Sequence, residues 1–234
     1  MSGMAFVVGG LMPYAAAALF LAGMVSRFRA WYKTPQPAKM TLFPAAEGGM
    51  WKDVLAETFF FPSLFKGDRV LWGFAWFFHA TLAFVFVGHV RVFTGLADRA
   101  MLALGMSPET IDSLSAGAGG VAGIVLLATG VLLLVRRLGM TRVREISAFS
   151  DYFALLLLLA IIVTGDFMRF GGHFELADTR AWAFSLLTFS PEVPPKPMFL
   201  LHILFAQLLF MYIPFSKILH FGGIFFTHAL IKRR

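Results

Sequence analysis

The stretch VLWGFAWFFHATLAFVFVGHVRVF, from Val70 to Phe93, decides the fold of this chain. Its one charged side chain is Arg91, and the rest is apolar or aromatic apart from two histidines and one threonine. An α-helix needs about 20 apolar residues to cross a hydrocarbon core with its backbone hydrogen bonds satisfied internally. The stretch therefore predicts a membrane-spanning helix rather than a helix in a soluble core.

Four further stretches share this length and composition. The five predicted spans cover residues 5–25, 70–93, 118–135, 149–167 and 198–219. Hydrophobic residues make up 59% of the sequence and charged residues only 14%, against about 25% charged residues in ordinary soluble domains. The first stretch lacks the basic leader and cleavage site of a signal peptide, so we expect it to remain as a span. We predict an all-α integral membrane bundle of five transmembrane helices, forming one domain over residues 1–234.

The basic residues indicate how the bundle is oriented. They concentrate in residues 26–69, between the third and fourth spans, and in the C-terminal tail. Because Lys and Arg are enriched in cytoplasmic loops, we predict the N-terminus outside and both the C-terminus and the loop 26–69 in the cytoplasm. The same asymmetry explains the net charge of +7, so no nucleic-acid partner is expected. The predicted location is a bacterial or archaeal cytoplasmic (inner) membrane, as a multi-pass protein.

The sequence contains no cysteine. It therefore has no disulfide, no thiolate ligand for an iron–sulfur cluster, and no CxxCH site for covalent haem attachment. Any iron–sulfur chemistry coupled to this chain must belong to a partner subunit.

Four of the six histidines lie in or at the ends of the second and fifth spans. His79 and His89 are ten residues apart, about 15 Å along a helix, and lie on one broad face. His202 and His220 are eighteen residues apart, about five turns, and so share a face of a continuous helix, which Pro214 is expected to kink. Because the two spans are antiparallel, His89 should meet His202 near the outer surface, and His79 should meet His220 near the inner surface.

Two histidine pairs at two membrane depths suit the iron of two b-type haems. Protein would fill both axial positions of each iron, which favours electron transfer over oxygen activation. Ionisable side chains in membrane helices are unfavourable and usually functional. Two other functions remain open: a histidine-lined proton or ion transporter, and a structural anchor subunit without haem.

The same segments resemble a known family. Residues 76–79, WFFH, followed by residues 88–89, GH, resemble the second helix of the respiratory nitrate reductase gamma subunit. His202 followed by residues 214–220, PFSKILH, resembles its fifth helix. In that family the corresponding four histidines bind two b haems, and the subunit oxidises quinol.

The resemblance implies the cofactors and their ligands. His89 and His202 are expected on the outer haem iron, and His79 and His220 on the inner haem iron. The two cofactors are haem b, and the implied substrate is a quinone, expected to be menaquinone. This ligand assignment agrees with the depths of the histidines in antiparallel spans.

The loop before the second span departs from the nitrate reductase subunit. Residues 59–68, FFFPSLFKGD, look more like the membrane cytochromes of heterodisulfide reductase and of sulfate-reducer transmembrane redox complexes. That likeness implies a cytoplasmic, heterodisulfide-reductase-like iron–sulfur partner and allows further membrane subunits. The apolar run Glu57–Phe65 is interpreted either as an interfacial helix on the lipid bilayer or as a docking surface for that partner.

The catalytic residues are not evident from the sequence alone. Asp166 and Arg169 at the end of the fourth span, with His173 just beyond it, are candidates for an outer quinone site, where His173 is either a proton acceptor or a solvated surface group. The predicted function is an oxidoreductase subunit that transfers electrons between menaquinol or quinone near the outer side and a cytoplasmic iron–sulfur partner. The ligands permit either direction of electron flow, and the terminal catalytic site is expected on a partner.

Overall fold

The structure, a computed structural model, describes residues 3–33, 50–171 and 175–223. Within these ranges the chain is helical and contains no β-strand. Numbered in chain order, the helices are α1 Gly3–Lys33, α2 Met50–Phe60, α3 Pro62–Gly67, α4 Arg69–Phe93, α5 Leu96–Ala103, α6 Pro108–Gly139, α7 Thr141–Glu145, α8 Phe149–Phe170, α9 Leu176–Leu187 and α10 Pro197–Tyr212. A π-helical turn, Val7–Leu11, interrupts α1.

Five of the described helices, α1, α4, α6, α8 and α10, are long and apolar enough to cross a membrane. They confirm the predicted all-α bundle of five spans. α6 is longer than its predicted span, because it begins at Pro108 after a polar cap that hydropathy does not detect. The hydroxyl of Ser107 accepts from the backbone N–H of Thr110 at 3.2 Å, which satisfies one of the free donors of the first turn.

The fifth span does not continue as an α-helix to residue 219. α10 ends at Tyr212, and two short 3-10 turns follow it, Ile213–Phe215 and Lys217–Leu219. The break falls at Pro214, which has no N–H for the α-helical hydrogen-bond pattern. The prediction that His202 and His220 share one face of a continuous helix is therefore wrong.

The spans pack in a series that follows the chain and then returns to its start. α4 packs against α6, α6 against α8, α8 against α10, and α10 against α1. Glycines allow close approaches between spans, as expected where helices pack in lipid without a hydrophobic driving force. Gly130 of α6 faces Leu159 and Phe78, and Gly23 of α1 faces Pro214.

Ion pairs connect the helices at both ends of the bundle. At the Arg136 end, Arg136 of α6 donates to the carboxylate of Asp68, just before α4, at 2.7 Å. At the opposite, Asp98 end, Asp98 binds Arg91 of α4 at 2.6 Å and Arg180 of α9 at 2.8 Å. The two ends of α4 are therefore each held to another part of the bundle.

The segment formed by α2 and α3 folds back onto the first turns of α4. The indole N–H of Trp72 donates to the carbonyl of Phe60 at 2.7 Å, and that of Trp76 donates to Phe59 at 2.9 Å. Trp76 lies about 10 Å along the axis from the start of α4. Much of the predicted loop 26–69 is thus helix packed on a span, and its residues 34–49 lie outside the described residues.

Candidate cofactor site: two histidine pairs

Two pairs of histidines face each other from α4 and from the α10 segment. The ring centres of His89 and His202 are 6.3 Å apart, and the rings are nearly parallel, at 10°. The ring centres of His79 and His220 are 5.9 Å apart, and the rings are nearly perpendicular, at 82°. The structure brings the histidines together in the two combinations expected for antiparallel spans. Their binding of iron stays a prediction.

The helices that carry the histidines are held apart. Among the described residues, α4 and α10 share no extensive contact, because α4 packs on α6 whereas α10 packs on α8 and α1. Ala83 lies one helical turn from His79, and Ala206 lies one turn from His202, so small side chains adjoin a ligand on each helix. Small side chains beside the histidines are what a flat macrocycle would require there.

Each of the four histidines has its Nδ1 within hydrogen-bonding distance of a backbone carbonyl. The acceptors are Ala75 for His79 at 2.7 Å, Val85 for His89 at 2.8 Å, Ile161 for His202 at 3.1 Å and Lys217 for His220 at 3.0 Å. Since a carbonyl can only accept, Nδ1 carries the proton and Nε2 keeps its lone pair. This is the tautomer in which Nε2 of a neutral imidazole binds a metal and the other nitrogen is held by a hydrogen bond.

The ring separations fit one metal ion between the members of each pair. An imidazole nitrogen binds a metal at about 2 Å, and the ring centre lies about 1 Å further away, so two imidazoles on opposite sides of one metal have centres about 6 Å apart. In the described part of the chain no cluster of three or more metal-binding side chains occurs. A haem supplies the other ligands of its iron itself, so it needs only two axial ligands from the protein.

Three residues at these pairs were not predicted. The hydroxyl of Thr164 lies 3.0 Å from Nδ1 of His202, and a Cβ at Gly165 would lie 3.2 Å from the same ring. The ring of Phe61 meets His79 edge-on, with ring centres 5.4 Å apart. The apolar run around Phe61 was noted in the sequence, but nothing in the sequence indicates that it folds back to a histidine.

The structure places two of the three quinone-site candidates on the side of α8 that faces α6. The carboxyl of Asp166 lies against Gly123, and the guanidinium of Arg169 lies 3.2 Å from where a Cβ at Gly119 would be. The two glycines thus leave the space that these polar side chains occupy. The third candidate, His173, lies outside the described residues.

Comparison with known sequences identifies the family. The family described as "Nitrate reductase gamma subunit" matches residues 62–233 of this chain. The chain belongs to the nitrate reductase gamma subunit family. The matched region contains all four paired histidines, and the resemblance predicted from their segments is confirmed.

Relatives of this nitrate reductase gamma-family chain are subunits of several redox complexes. An "Hdr-like menaquinol oxidoreductase cytochrome b-like subunit" of Archaeoglobus fulgidus is 32% identical, over 94% of this chain and 78% of its own length. The "Respiratory nitrate reductase 1 gamma chain" of Escherichia coli is 30% identical, over 63% and 69%. One chain of the "Dihydromethanophenazine:CoB--CoM heterodisulfide reductase" of Methanosarcina barkeri is 26% identical, over 93% and 88%. The chain is a multi-pass, cytochrome b-like oxidoreductase subunit of the inner membrane.

Proposed function

We propose that the chain holds two b haems and carries electrons between menaquinol and a cytoplasmic iron–sulfur subunit. The observation that supports this most strongly is the two pairs of facing histidines at two depths, with ring centres 5.9 Å apart in one pair and 6.3 Å apart in the other. Bound haem supplies one-electron transfer, and the four histidines would hold its iron through Nε2 at both axial positions. The Archaeoglobus relative is named for menaquinol, which supports the choice of quinol.

Haem content tests the proposal directly. The purified, unmodified chain should give the reduced-minus-oxidised spectrum of a b-type cytochrome and about two haems per polypeptide. A proton or ion transporter, or a haem-free anchor, would give none. Absence of haem from a folded chain that was produced in haem-sufficient cells overturns the proposal.

We place the Arg136 end of the bundle in the cytoplasm because Lys and Arg concentrate there. A reporter fused after Arg234 should then be cytoplasmic. A second reporter inserted at Gly105 should lie outside the membrane, because this glycine forms the turn between α5 and α6, with a φ of 86°. If the two reporters lie on the opposite sides, the assignments of the outer and inner haems must be exchanged.

We place quinol oxidation at the Asp98 end, with Asp166 as the proton acceptor. The carboxyl of Asp166 lies between α6 and α8 against Gly123. The residue before it in the sequence is Gly165, where a Cβ would lie 3.2 Å from His202. Quinol oxidation releases protons, so a carboxylate beside the first electron acceptor is well placed to take one. Arg169, one turn further along α8, would hold the quinol oxygen or a haem propionate.

Asp166→Asn tests this site. We expect haem reduction by a menaquinol analogue to slow by about 10²-fold, as for loss of a general base, with both haems still bound. Asp112→Asn is the matched control, because this carboxylate lies at the same end and is 70% exposed. Asp112→Asn should leave the rate of haem reduction unchanged. If the haem of Asp166→Asn is also reduced at the unmodified rate, the quinol site lies elsewhere.

We propose that the iron–sulfur partner docks on the α2–α3 segment. Phe60 is 63% exposed there, and the neighbouring Phe61 contacts His79, so a partner seated on this segment is close to the inner haem. Burying an aromatic side chain in an interface contributes about 1.5–3 kcal/mol. Such a surface would bring the partner's cluster near the electron donor.

A charge introduced at this surface tests the docking. Phe60→Asp together with Leu64→Asp should release the partner on co-purification while both haems stay bound. Leu64 is half-buried, so Phe60→Asp alone separates loss of docking from misfolding. Ile146→Asp, 80% exposed at the same end, is the control. If the partner still co-purifies with the Phe60 variants, the α2–α3 segment is not its docking surface and lies on the lipid surface instead.

A further inference from the structure

His202 differs from the other three paired histidines in what holds its ring. His79, His89 and His220 each bond a carbonyl of their own helix or turn. The Nδ1 of His202 instead points at α8, where it meets the carbonyl of Ile161 at 3.1 Å and the hydroxyl of Thr164 at 3.0 Å. Its orientation is therefore set by a neighbouring helix.

The hydroxyl of Thr164 is arranged to accept a hydrogen bond from His202. This hydroxyl lies 2.8 Å from the carbonyl of Ala160 and 3.0 Å from that of Ile161, so its single proton is directed back into α8. The oxygen lone pair remains for the Nδ1–H of His202. Thr164 is buried, so water does not compete for this lone pair.

Gly165 leaves the space that the imidazole of His202 occupies against α8. A Cβ at this position would lie 3.2 Å from Cε1 of His202, closer than nearly all side-chain contacts. The missing side chain lets the ring lie against α8 while its Nδ1 reaches Thr164. One turn of α8 therefore supplies both the hydrogen-bond acceptor and the space.

We propose that Thr164 is a positioning residue that orients His202 and lowers the reduction potential of the haem held by His89 and His202. This inference rests on the proposed function. A hydrogen bond accepted from Nδ1–H increases the electron donation of Nε2 to a metal. Stronger donation favours ferric over ferrous iron, so the reduced state of this haem is disfavoured. At the other pair, the Nδ1 atoms of His79 and His220 meet backbone carbonyls of their own helix or turn, and in the described part of the chain no side-chain hydroxyl is recorded as a second acceptor there.

Redox titration of the holoprotein with Thr164→Val and Thr164→Ser tests the proposal. Val keeps the shape and removes the hydroxyl, so the Nδ1–H of His202 keeps only the carbonyl of Ile161 as an acceptor. The outer haem should therefore become easier to reduce. We expect a roughly tenfold larger ratio of reduced to oxidised haem at a fixed potential, or about 59 mV for a one-electron couple. Ser retains the hydroxyl and should restore the unmodified potential, while the inner haem should not change in either variant.

Thr129→Val is the matched control. Thr129 is also buried in a span, and its hydroxyl bonds the carbonyls of Val125 and Leu126 within α6. Its hydroxyl bonds only carbonyls of its own helix and is not recorded bonding a histidine, so its replacement should leave both potentials unchanged. An equal shift in this variant would mean that any buried threonine has the effect, which overturns the inference.

The remaining outcomes also decide the question. Loss of the outer haem from the Val variant but not from the Ser variant supports a positioning role for the hydroxyl. Loss from both variants, or an unchanged potential in Thr164→Val, overturns that role while the di-haem proposal stands. An unmodified chain without haem overturns the proposed function itself.

Discussion

The two histidine pairs are built by different parts of the molecule. At the Asp98 end, His202 is seated against α8, and its ring is nearly parallel to that of His89. At the Arg136 end, His220 follows a helix broken by proline and bonds its own turn, and its ring is perpendicular to that of His79. One site depends on the packing of spans, and the other depends on a local turn and a folded-back segment. Perturbations of the two sites should therefore be separable.

Loss of single ligands should have the largest effect. If each proposed haem is held by two axial imidazoles, His89→Ala or His202→Ala should remove the same haem, and His79→Ala or His220→Ala should remove the other. Haem quantification should give about one haem per chain in each variant, and redox titration identifies which remains. If His79→Ala and His89→Ala lose the same haem, the proposed pairing is wrong.

The ring angles predict two distinguishable ferric signals by electron paramagnetic resonance. Parallel imidazoles separate the energies of the iron orbitals that bond with them, whereas perpendicular imidazoles leave these orbitals nearly equal and widen the spread of g values. The wider signal should therefore disappear in His79→Ala and the narrower one in His89→Ala. Two signals of the same type would contradict the difference between 10° and 82°.

Removal of the Phe61 ring should affect the inner haem only. Phe61→Ala exposes His79 to the Arg136 end, so a water-soluble reductant should reduce the inner haem about threefold to tenfold faster, since solvent access is set by the apolar shell. Phe149→Ala, an exposed residue at the same end, is the control and should cause no change. Faster reduction of both haems would indicate general loosening of the bundle.

Phe61→Gly distinguishes the effect of losing the aromatic ring from the effect of backbone strain at this position. Phe61 has a φ of 50°, where a side chain is strained by about 1–3 kcal/mol and glycine is not. Phe61→Gly should therefore change haem access as Phe61→Ala does, but should unfold at a higher temperature than the alanine variant. Equal unfolding temperatures would show that the backbone strain is relieved in another way.

The smallest expected effect concerns the ion pairs at the Asp98 end of the bundle. Burial tends to raise the pKa of Asp98, but hydrogen bonds from Arg180 and Arg91 outweigh it and hold that pKa below its ordinary value. Because the folded-state pKa is lowered, the stabilisation is present above about pH 4 and is lost as the pH falls through the folded-state pKa. Asp98→Asn should destabilise the chain by about 1 kcal/mol at neutral pH.

Thermal unfolding in detergent at two pH values measures this effect. The difference between Asp98→Asn and the unmodified chain should be present at pH 7 and should vanish in strong acid. Asp178→Asn breaks a less buried pair with Lys196 at the same end and should show a smaller difference. A difference for Asp98→Asn that does not depend on pH would indicate that its ionisation does not contribute to stability.

The bundle and the four histidines could be predicted because each depends on local sequence. A long apolar run in lipid has to satisfy its own backbone, and an α-helix does so. The positions of His79 and His89 along a single helix then follow from its rise. The orientation of His220 could not be predicted in the same way. It was expected from a continuous α-helix, but two 3-10 turns replace the helix from Ile213 onward.

The sequence by itself determined the number of spans, the family and the four paired histidines, since hydropathy and short motifs are properties of neighbouring residues. Only the tertiary structure decided what holds those histidines. Thr164 and Gly165 reach His202 because α8 packs on α10, and Phe61 reaches His79 because two indole N–H groups of α4 bind the carbonyls of Phe59 and Phe60. Such contacts join residues far apart in the chain, and in lipid they depend on close packing and hydrogen bonds rather than on hydrophobic patterning.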